Sequence, residues 1–134
     1  MAILLRCHPH YTYTASVDVC WKWYGGSWFE GMATCAEEDS RLVVLDTVDK
    51  LESLRQAINS ANENYYYWVG GQFVSGTWKW LDGTPVEMTS TFWGPGEPNR
   101  SPSHANALGW NTNTHGKFDD GVGNSNNRHI CEKP

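Results

Sequence analysis

The stretch Gly94 to Arg100, "GPGEPNR", sets a carboxylate, Glu97, and a carboxamide, Asn99, one residue either side of Pro98. Gly, Pro and Asn are also the ordinary vocabulary of surface turns, so by composition alone the segment reads equally as a plain turn. Charge narrows the partners such a segment can serve. The formal net charge is -5 and Lys and Arg form no run, whereas phosphate neutralisation needs a basic patch. Nucleic acid is therefore excluded as a partner class, and cations are admitted. A second acidic pair, Asp119-Asp120, stands further along. Glu97 with Asp119 has the residue types of a glycosidase's two carboxylates, the one catalytic pairing the chain offers.

The elements that must position these residues follow from patterning. With 134 residues the chain fits one domain, 1–134, long enough to bury a core. Ser27 followed by Glu30 is a capping box, and Trp28, Met32 and Cys35 recur at helical spacing, which predicts a helix over 27–40 with Cys35 inward. A second helix is predicted from Asp46 to Ala61, with Leu51, Leu54 and Ile58 on one stripe and Asn62 and Asn64 ending it. Leu42 to Leu45 reads as a short extended segment. Tyr65 to Gly71 and Thr77 to Trp80 read as aromatic-rich strands, the second running into a turn at Leu81-Asp82-Gly83-Thr84. Residues 94–127 are rich in Gly, Pro, Asn, Ser and His with little periodicity, and read as one long polar loop; a structureless segment of this length in a small domain is either a misreading, disordered or functional. A closing strand spans Arg128 to Glu132. The fold class is α+β: two helices, small antiparallel sheets and a long loop held between strands.

The longest apolar run, Ala2 to Leu5, is too short to span a bilayer or to form a signal-peptide core, so a secreted protein would need a leader not contained in these residues. Four cysteines, at 7, 20, 35 and 131, include no pair at zinc-finger or redox spacing. Their even number and wide separation suggest two disulfides formed in an oxidising compartment, with three pairings open. The histidines at 8, 10, 104, 115 and 129 are too scattered for a transition-metal site and read as surface residues. Arg100 reads as solvated.

The order of these signals resembles the C-type lectin-like domain over roughly residues 7–132. The matching residues are Trp28 with Cys35, "YWVGG" (67–71), "WKWLDG" (78–83), Trp93 before "GEPN" (96–99), and "HICE" (129–132). The resemblance implies paired termini and a long loop projecting from the sheet. It also implies the disulfide Cys35-Cys131 and a second bridge, Cys7-Cys20, in an N-terminal hairpin around 7–20. In sugar-binding members, Glu-Pro-Asn with a cis proline is the core of a calcium site that also binds the sugar. A Trp-Asn-Asp stretch completes it, and this corresponds here to Phe118-Asp119-Asp120.

The implied metal ligands are thus Glu97, Asn99, Asp119 and Asp120 around Ca2+, with Glu97, Asn99 and Asp119 also reading sugar hydroxyls. Calcium takes six to eight oxygens, so two vicinal hydroxyls could complete the set. Trp110, inside the polar loop, is the better candidate among the tryptophans for an exposed aromatic face beneath a sugar, although core packing of the loop is the role favoured for it; Trp78 and Trp80 are expected in the core. The Glu-Pro-Asn order goes in the family with mannose, glucose, N-acetylglucosamine or fucose-like arrangements and Gln-Pro-Asp with galactose, so the former preference is expected, with galactose left open by the change at Asp119. Three positions depart from the family pattern. Ala107 and Gly123 replace the cysteines of a loop disulfide, Ala105 replaces a further glutamate ligand, and Asp119 replaces the asparagine of the second stretch. Asn99-Arg100-Ser101 is also a glycosylation sequon, and a glycan there would conflict with ion binding.

Carboxylates that share a calcium stay ionised and cannot act as general acids, so the expected protein is not an enzyme. The expectation is a secreted, calcium-dependent lectin with a glycan partner. Monosaccharide affinity would be roughly millimolar, so useful binding would call for a homo-oligomer or another source of avidity. The alternative is a lectin-like domain with a degraded calcium site that serves protein or mineral partners or a structural role.

Overall fold

The structure is a computed structural model that describes residues 7–99 and 106–133. Arg100, Ser101, His104 and Ala105 lie outside the described residues. The elements in chain order are β1 (Thr12–Thr14), β2 (Val19–Gly26), α1 (Trp28–Glu37), β3 (Arg41–Leu42), α2 (Val48–Ser60), β4 (Tyr66–Val74), β5 (Thr77–Trp80), β6 (Ala107–Asn111), β7 (Lys117–Gly121) and β8 (Asn127–Lys133).

Both helices start where a side chain can satisfy their first free N–H groups. At α1 the Ser27 side chain accepts from the Glu30 amide at 3.0 Å while the Glu30 carboxylate accepts from the Ser27 amide at 2.9 Å. At α2 the Thr47 hydroxyl accepts from the Lys50 amide at 3.1 Å. The inward face of α1 is Trp28, Gly31 and Cys35, not the expected Met32, which is exposed. Gly31 is required there because a Cβ would come within 2.8 Å of the His129 ring. Leu51, Leu54 and Ile58 form the buried stripe of α2, as their spacing predicts.

The strands form one eight-stranded sheet with the path β1-β2-β8-β4-β6-β7; β3 adds to β8 and β5 to β4. The expected small antiparallel sheets are thus joined, and the seam between them is a short parallel pairing of β4 with β8, Tyr67 opposite Arg128 and Trp68 opposite His129. Two disulfides are present, Cys7–Cys20 and Cys35–Cys131. The first closes the N-terminal hairpin, and the second ties α1 to β8. Glu132, buried in β8, accepts from Arg41, Lys50 and the Val44 amide at 2.7 to 3.1 Å, which satisfies a charge that would otherwise be costly to bury.

Two apolar clusters lie on opposite faces of the sheet. The larger joins α2 to Tyr67, Val69, Trp78, Trp80, Phe92, Trp93, Leu108, Trp110 and Phe118. The smaller gathers Trp28, Cys35, Leu42, Trp68, Ala107 and Cys131 beneath α1.

The expected structureless segment 94–127 is in fact interrupted by β6 and β7, an antiparallel pair with Gly109 opposite Asp119 and Leu108 opposite Asp120. Burial settles the place of two side chains. Trp110 sits in β6 with 0% of its surface exposed, and its indole N–H donates to the Gly116 carbonyl at 3.0 Å. It is a core residue and presents no face to a sugar. His129 is likewise no surface residue, at 1% exposure.

Candidate functional site

Glu97, Pro98 and Asn99 lie between the Phe92-Trp93 anchor and the outer edge of β7. That anchor is apolar: Phe92 stacks on Phe118 with ring centroids 5.9 Å apart, and the Trp93 indole packs edge-on to Phe118. Backbone bonds continue it, the Phe118 amide donating to the Phe92 carbonyl at 2.8 Å and the Gly94 amide to the Phe118 carbonyl at 2.9 Å. Phe118 therefore turns both its backbone groups away from β6. In an antiparallel strand this orientation recurs every second residue, so Asp120 presents its own backbone groups on the same outer side.

There the turn closes. The Glu97 amide donates to the Gly94 carbonyl at 3.0 Å, the Glu97-Pro98 peptide is cis, and the Asn99 amide donates to Asp120 Oδ1 at 3.2 Å. Asn99 Nδ2 reaches Glu97 Oε2 at 3.2 Å. Three of the expected site residues, Glu97, Asn99 and Asp120, thus meet. Asn99 is exposed, Glu97 is half-buried and Asp120 is 3% exposed.

Asp119 does not join them. Side chains alternate along a strand. Asp120, opposite Leu108, faces the larger cluster's side of the sheet; Asp119, opposite Gly109, faces the side of α1, where it accepts a hydrogen bond from the Tyr66 hydroxyl. The geometry thereby corrects the expectation that both aspartates address one point, and it also separates Asp119 from Glu97 as a catalytic pair. Tyr66, the partner that redirects Asp119, was not among the residues singled out by sequence. Its only signal there was membership of an aromatic strand.

The assembled set is chemically of one kind: two carboxylates, a carboxamide oxygen and an outward backbone carbonyl, all hard oxygen donors suited to a hard divalent cation. Among the described residues no three His, Cys, Asp or Glu side chains cluster tightly enough to hold a metal by themselves. The carboxamide and the backbone must therefore contribute to any ion site here. Ala107 and Gly123, which replace the loop cysteines, are in contact distance instead: a Cβ on Gly123 would lie 3.2 Å from that of Ala107 and 3.0 Å from the Phe29 ring. The two segments remain adjacent by packing where the family uses a bridge.

Residues 24–133 match the Lectin C-type domain family, and the chain belongs to that family, whose lectin members bind carbohydrate and are not enzymes. Among curated proteins it is 31% identical over 109 residues to the hepatic lectin of Gallus gallus, covering 81% of this chain and 50% of that protein. It is 30% identical over 108 residues to the E-selectin of Sus scrofa, covering 79% of this chain and 20% of that protein. The chain thus spans half or less of the length of these relatives. In solved structures the fold recurs in the mouse scavenger receptor C-type lectin carbohydrate-recognition domain, with a TM-score of 0.78 at 23% identity and 95% of each chain covered. It recurs as well in a calcium-independent type II antifreeze protein, with a TM-score of 0.75 at 22% identity, covering 95% of this chain and 93% of that one.

Proposed function

We propose that this chain is a calcium-dependent carbohydrate-binding domain in which Glu97, Asn99 and Asp120 hold the ion and Glu97 and Asn99 read the sugar. The observation that carries the reading is the meeting of these three residues at the outer edge of β7, where the Asn99 backbone amide donates to Asp120 Oδ1 and its side-chain amide to Glu97 Oε2, each at 3.2 Å. Bound calcium supplies a hard cation with room for two vicinal hydroxyls beside the protein oxygens. The rest is done by the chain's own groups. The Glu97 carboxylate accepts a hydrogen bond from one hydroxyl, and the Asn99 amide donates one to the other, a division fixed by what each group can give.

A donor set with two carboxylates is modest, and sites of extracellular modules hold calcium at about 10⁻⁴ to 10⁻³ M. An ion that binds only the folded state at tenfold excess over its Kd stabilises that state by about 1.4 kcal/mol. The melting temperature should accordingly rise by a few degrees in millimolar calcium and return on chelation, while Glu97→Gln abolishes the rise. No calcium response in the native sequence would sink the reading.

The Glu-Pro-Asn order supports a preference for mannose, glucose or N-acetylglucosamine. Calorimetric titration with mannose, N-acetylglucosamine and galactose, with calcium and after chelation, measures it. A structure of the same fold, the C-type carbohydrate-recognition domain of cow CD23, is solved in the presence of a GlcNAc2Man3 oligosaccharide, which supports the choice of probes. The two disulfides fit an oxidising, extracellular setting, and no helix among the described residues is long and apolar enough to cross a membrane. Weak single-site binding makes a multivalent form, including a homo-oligomer, the arrangement in which this domain would act.

A second reading, a lectin-like domain turned to protein or mineral partners, is favoured by one specific observation. Asp119 faces away from the site, which leaves two carboxylates where the family pattern would place more donors. Failure of calcium to raise the melting temperature, together with no binding of any sugar probe, decides for it.

A further inference from the structure

The proposed ion site uses one of the two aspartates of β7 and leaves the other on the opposite face, where the sheet is hollowed. The hollow has a definite cause. Gly109 and Gly121 lack side chains, and a Cβ at Gly109 would lie 1.8 Å from the Tyr66 hydroxyl oxygen. A Cβ at Gly121 would lie 2.6 Å from Trp68 Cη2. The two glycines therefore let the aromatic rings of β4 lie down across β6 and β7. Tyr66 and Trp68 meet edge to face with centroids 5.2 Å apart. Tyr66 is anchored on Asp119, and the Trp68 indole N–H donates to the Ser125 carbonyl at 3.0 Å.

Beside these rings is an open cleft of about 240 Å³, lined chiefly by Tyr66, Trp68, Asp119, Val122, Ser125 and Asn127. It is smaller than pockets that take drug-sized molecules, and of a size for a single ring. Its chemistry is mixed in a particular way. The Asp119 carboxylate accepts hydrogen bonds, the Asn127 carboxamide and Ser125 hydroxyl both donate and accept, and Val122 with the ring edges supplies an apolar wall. A neutral pyranose, with hydroxyls on its rim and C–H groups on its face, matches each of these. An acidic sugar does not, because its carboxylate would meet Asp119.

We propose that this cleft is a second carbohydrate subsite, taking one neutral pyranose residue of a longer glycan, and that it operates without calcium. The inference rests on the reading of the chain as carbohydrate-binding but not on its ion. Asp119 is then a sugar contact and not a metal ligand.

The test is a titration of the ¹⁵N-labelled full chain with α-linked mannotriose and with triacetylchitotriose, followed by NMR, in calcium and again in chelator. The expected result is that one of these probes shifts the backbone amides of Gly121, Val122, Ser125 and Asn127 in both conditions. Asn127→Ala should weaken the affinity read from those shifts about fivefold, as loss of one hydrogen bond implies. Asp119→Asn, which keeps the shape and the acceptor for Tyr66, should weaken it as well while leaving the calcium-induced rise in melting temperature unchanged. Cleft shifts that persist where no calcium response exists would retire the ion site and keep this one. Shifts confined to residues 94–99 and 120, no shift with either trisaccharide, or a calcium response lost in Asp119→Asn would each overturn the proposal.

Discussion

The imidazole of His129, on β8, is enclosed against β2 and α1, and neither ring nitrogen makes a hydrogen bond of good geometry. Its ring lies 5.8 Å from that of Tyr24, and the Glu30 carboxylate of the α1 capping box is the charged group that faces it. Burial lowers its pKa below the ordinary 6.5, and the backbone at Gly26 and Ser27 together with Glu30 offsets this only in part. The sign follows directly. With a depressed pKa, the unfolded chain takes up a proton as pH falls through 6.5 while the native state does not, so stability present above that value drains away below it. The carboxylates of Glu30 and Glu38 have pKa values lowered by their hydrogen bonds, to the Ser27 backbone and to Tyr11 and Tyr24 respectively. They lose their contributions only below about 4.5, in a separate window. In chelator, the melting temperature should fall between pH 7 and 5.5, and in His129→Leu it should stay nearly flat over that range. Parallel curves for the two proteins would show that the imidazole is not the source.

Elements were legible in the sequence to the extent that they were one-sided. The α1 capping box and the stripe Leu51, Leu54, Ile58 are patterns with a buried face and an exposed one, and both helices lie where those patterns put them, shortened by a residue or more at their ends. β6 went unread because it is buried on both faces, with Ala107, Leu108, Gly109 and Trp110 all inside, so it has no alternation to find. β7 does alternate, but its pair of aspartates reads as a polar turn until its pairing partner is known. The site divides along the same line. The convergence of Glu97 and Asn99 was expected from local sequence, whereas the turning away of Asp119 depends on register with β6, which no local pattern encodes. Gly109 tests this account of the sheet. Alanine there must displace the Tyr66 ring, so Gly109→Ala should cost roughly 1 to 3 kcal/mol in urea unfolding, as overpacking does. The same substitution in a Tyr66→Ala background should cost markedly less, because the obstructing ring is gone. Equal costs in both backgrounds would mean that the glycine serves some purpose other than making room for Tyr66.

For the molecule as a whole, the candidate ion site and the covalent staples are on different strands of the sheet path: β7 closes one end, Cys7–Cys20 closes the hairpin at the other, and Cys35–Cys131 ties α1 to β8 between them. The two bridges span very different lengths of chain, 96 and 13 residues. In the chain-entropy account, a cross-link acts mainly by restricting the unfolded chain, by about 4.7 kcal/mol for a loop near 100 residues and about 3 for one near 15. The double variant Cys35→Ala with Cys131→Ala should therefore lose more stability in chemical denaturation than Cys7→Ala with Cys20→Ala. Its m-value should rise more as well, since the released chain exposes more surface when it unfolds. Both variants should keep the calcium-induced rise in melting temperature, because neither bridge touches the segment from Glu97 to Asn99 or its neighbour Asp120. A larger loss from the short bridge would place the main contribution in the folded hairpin, where Tyr11 and Tyr24 both donate to Glu38 and lock β1, β2 and the end of α1 together, and not in the unfolded chain.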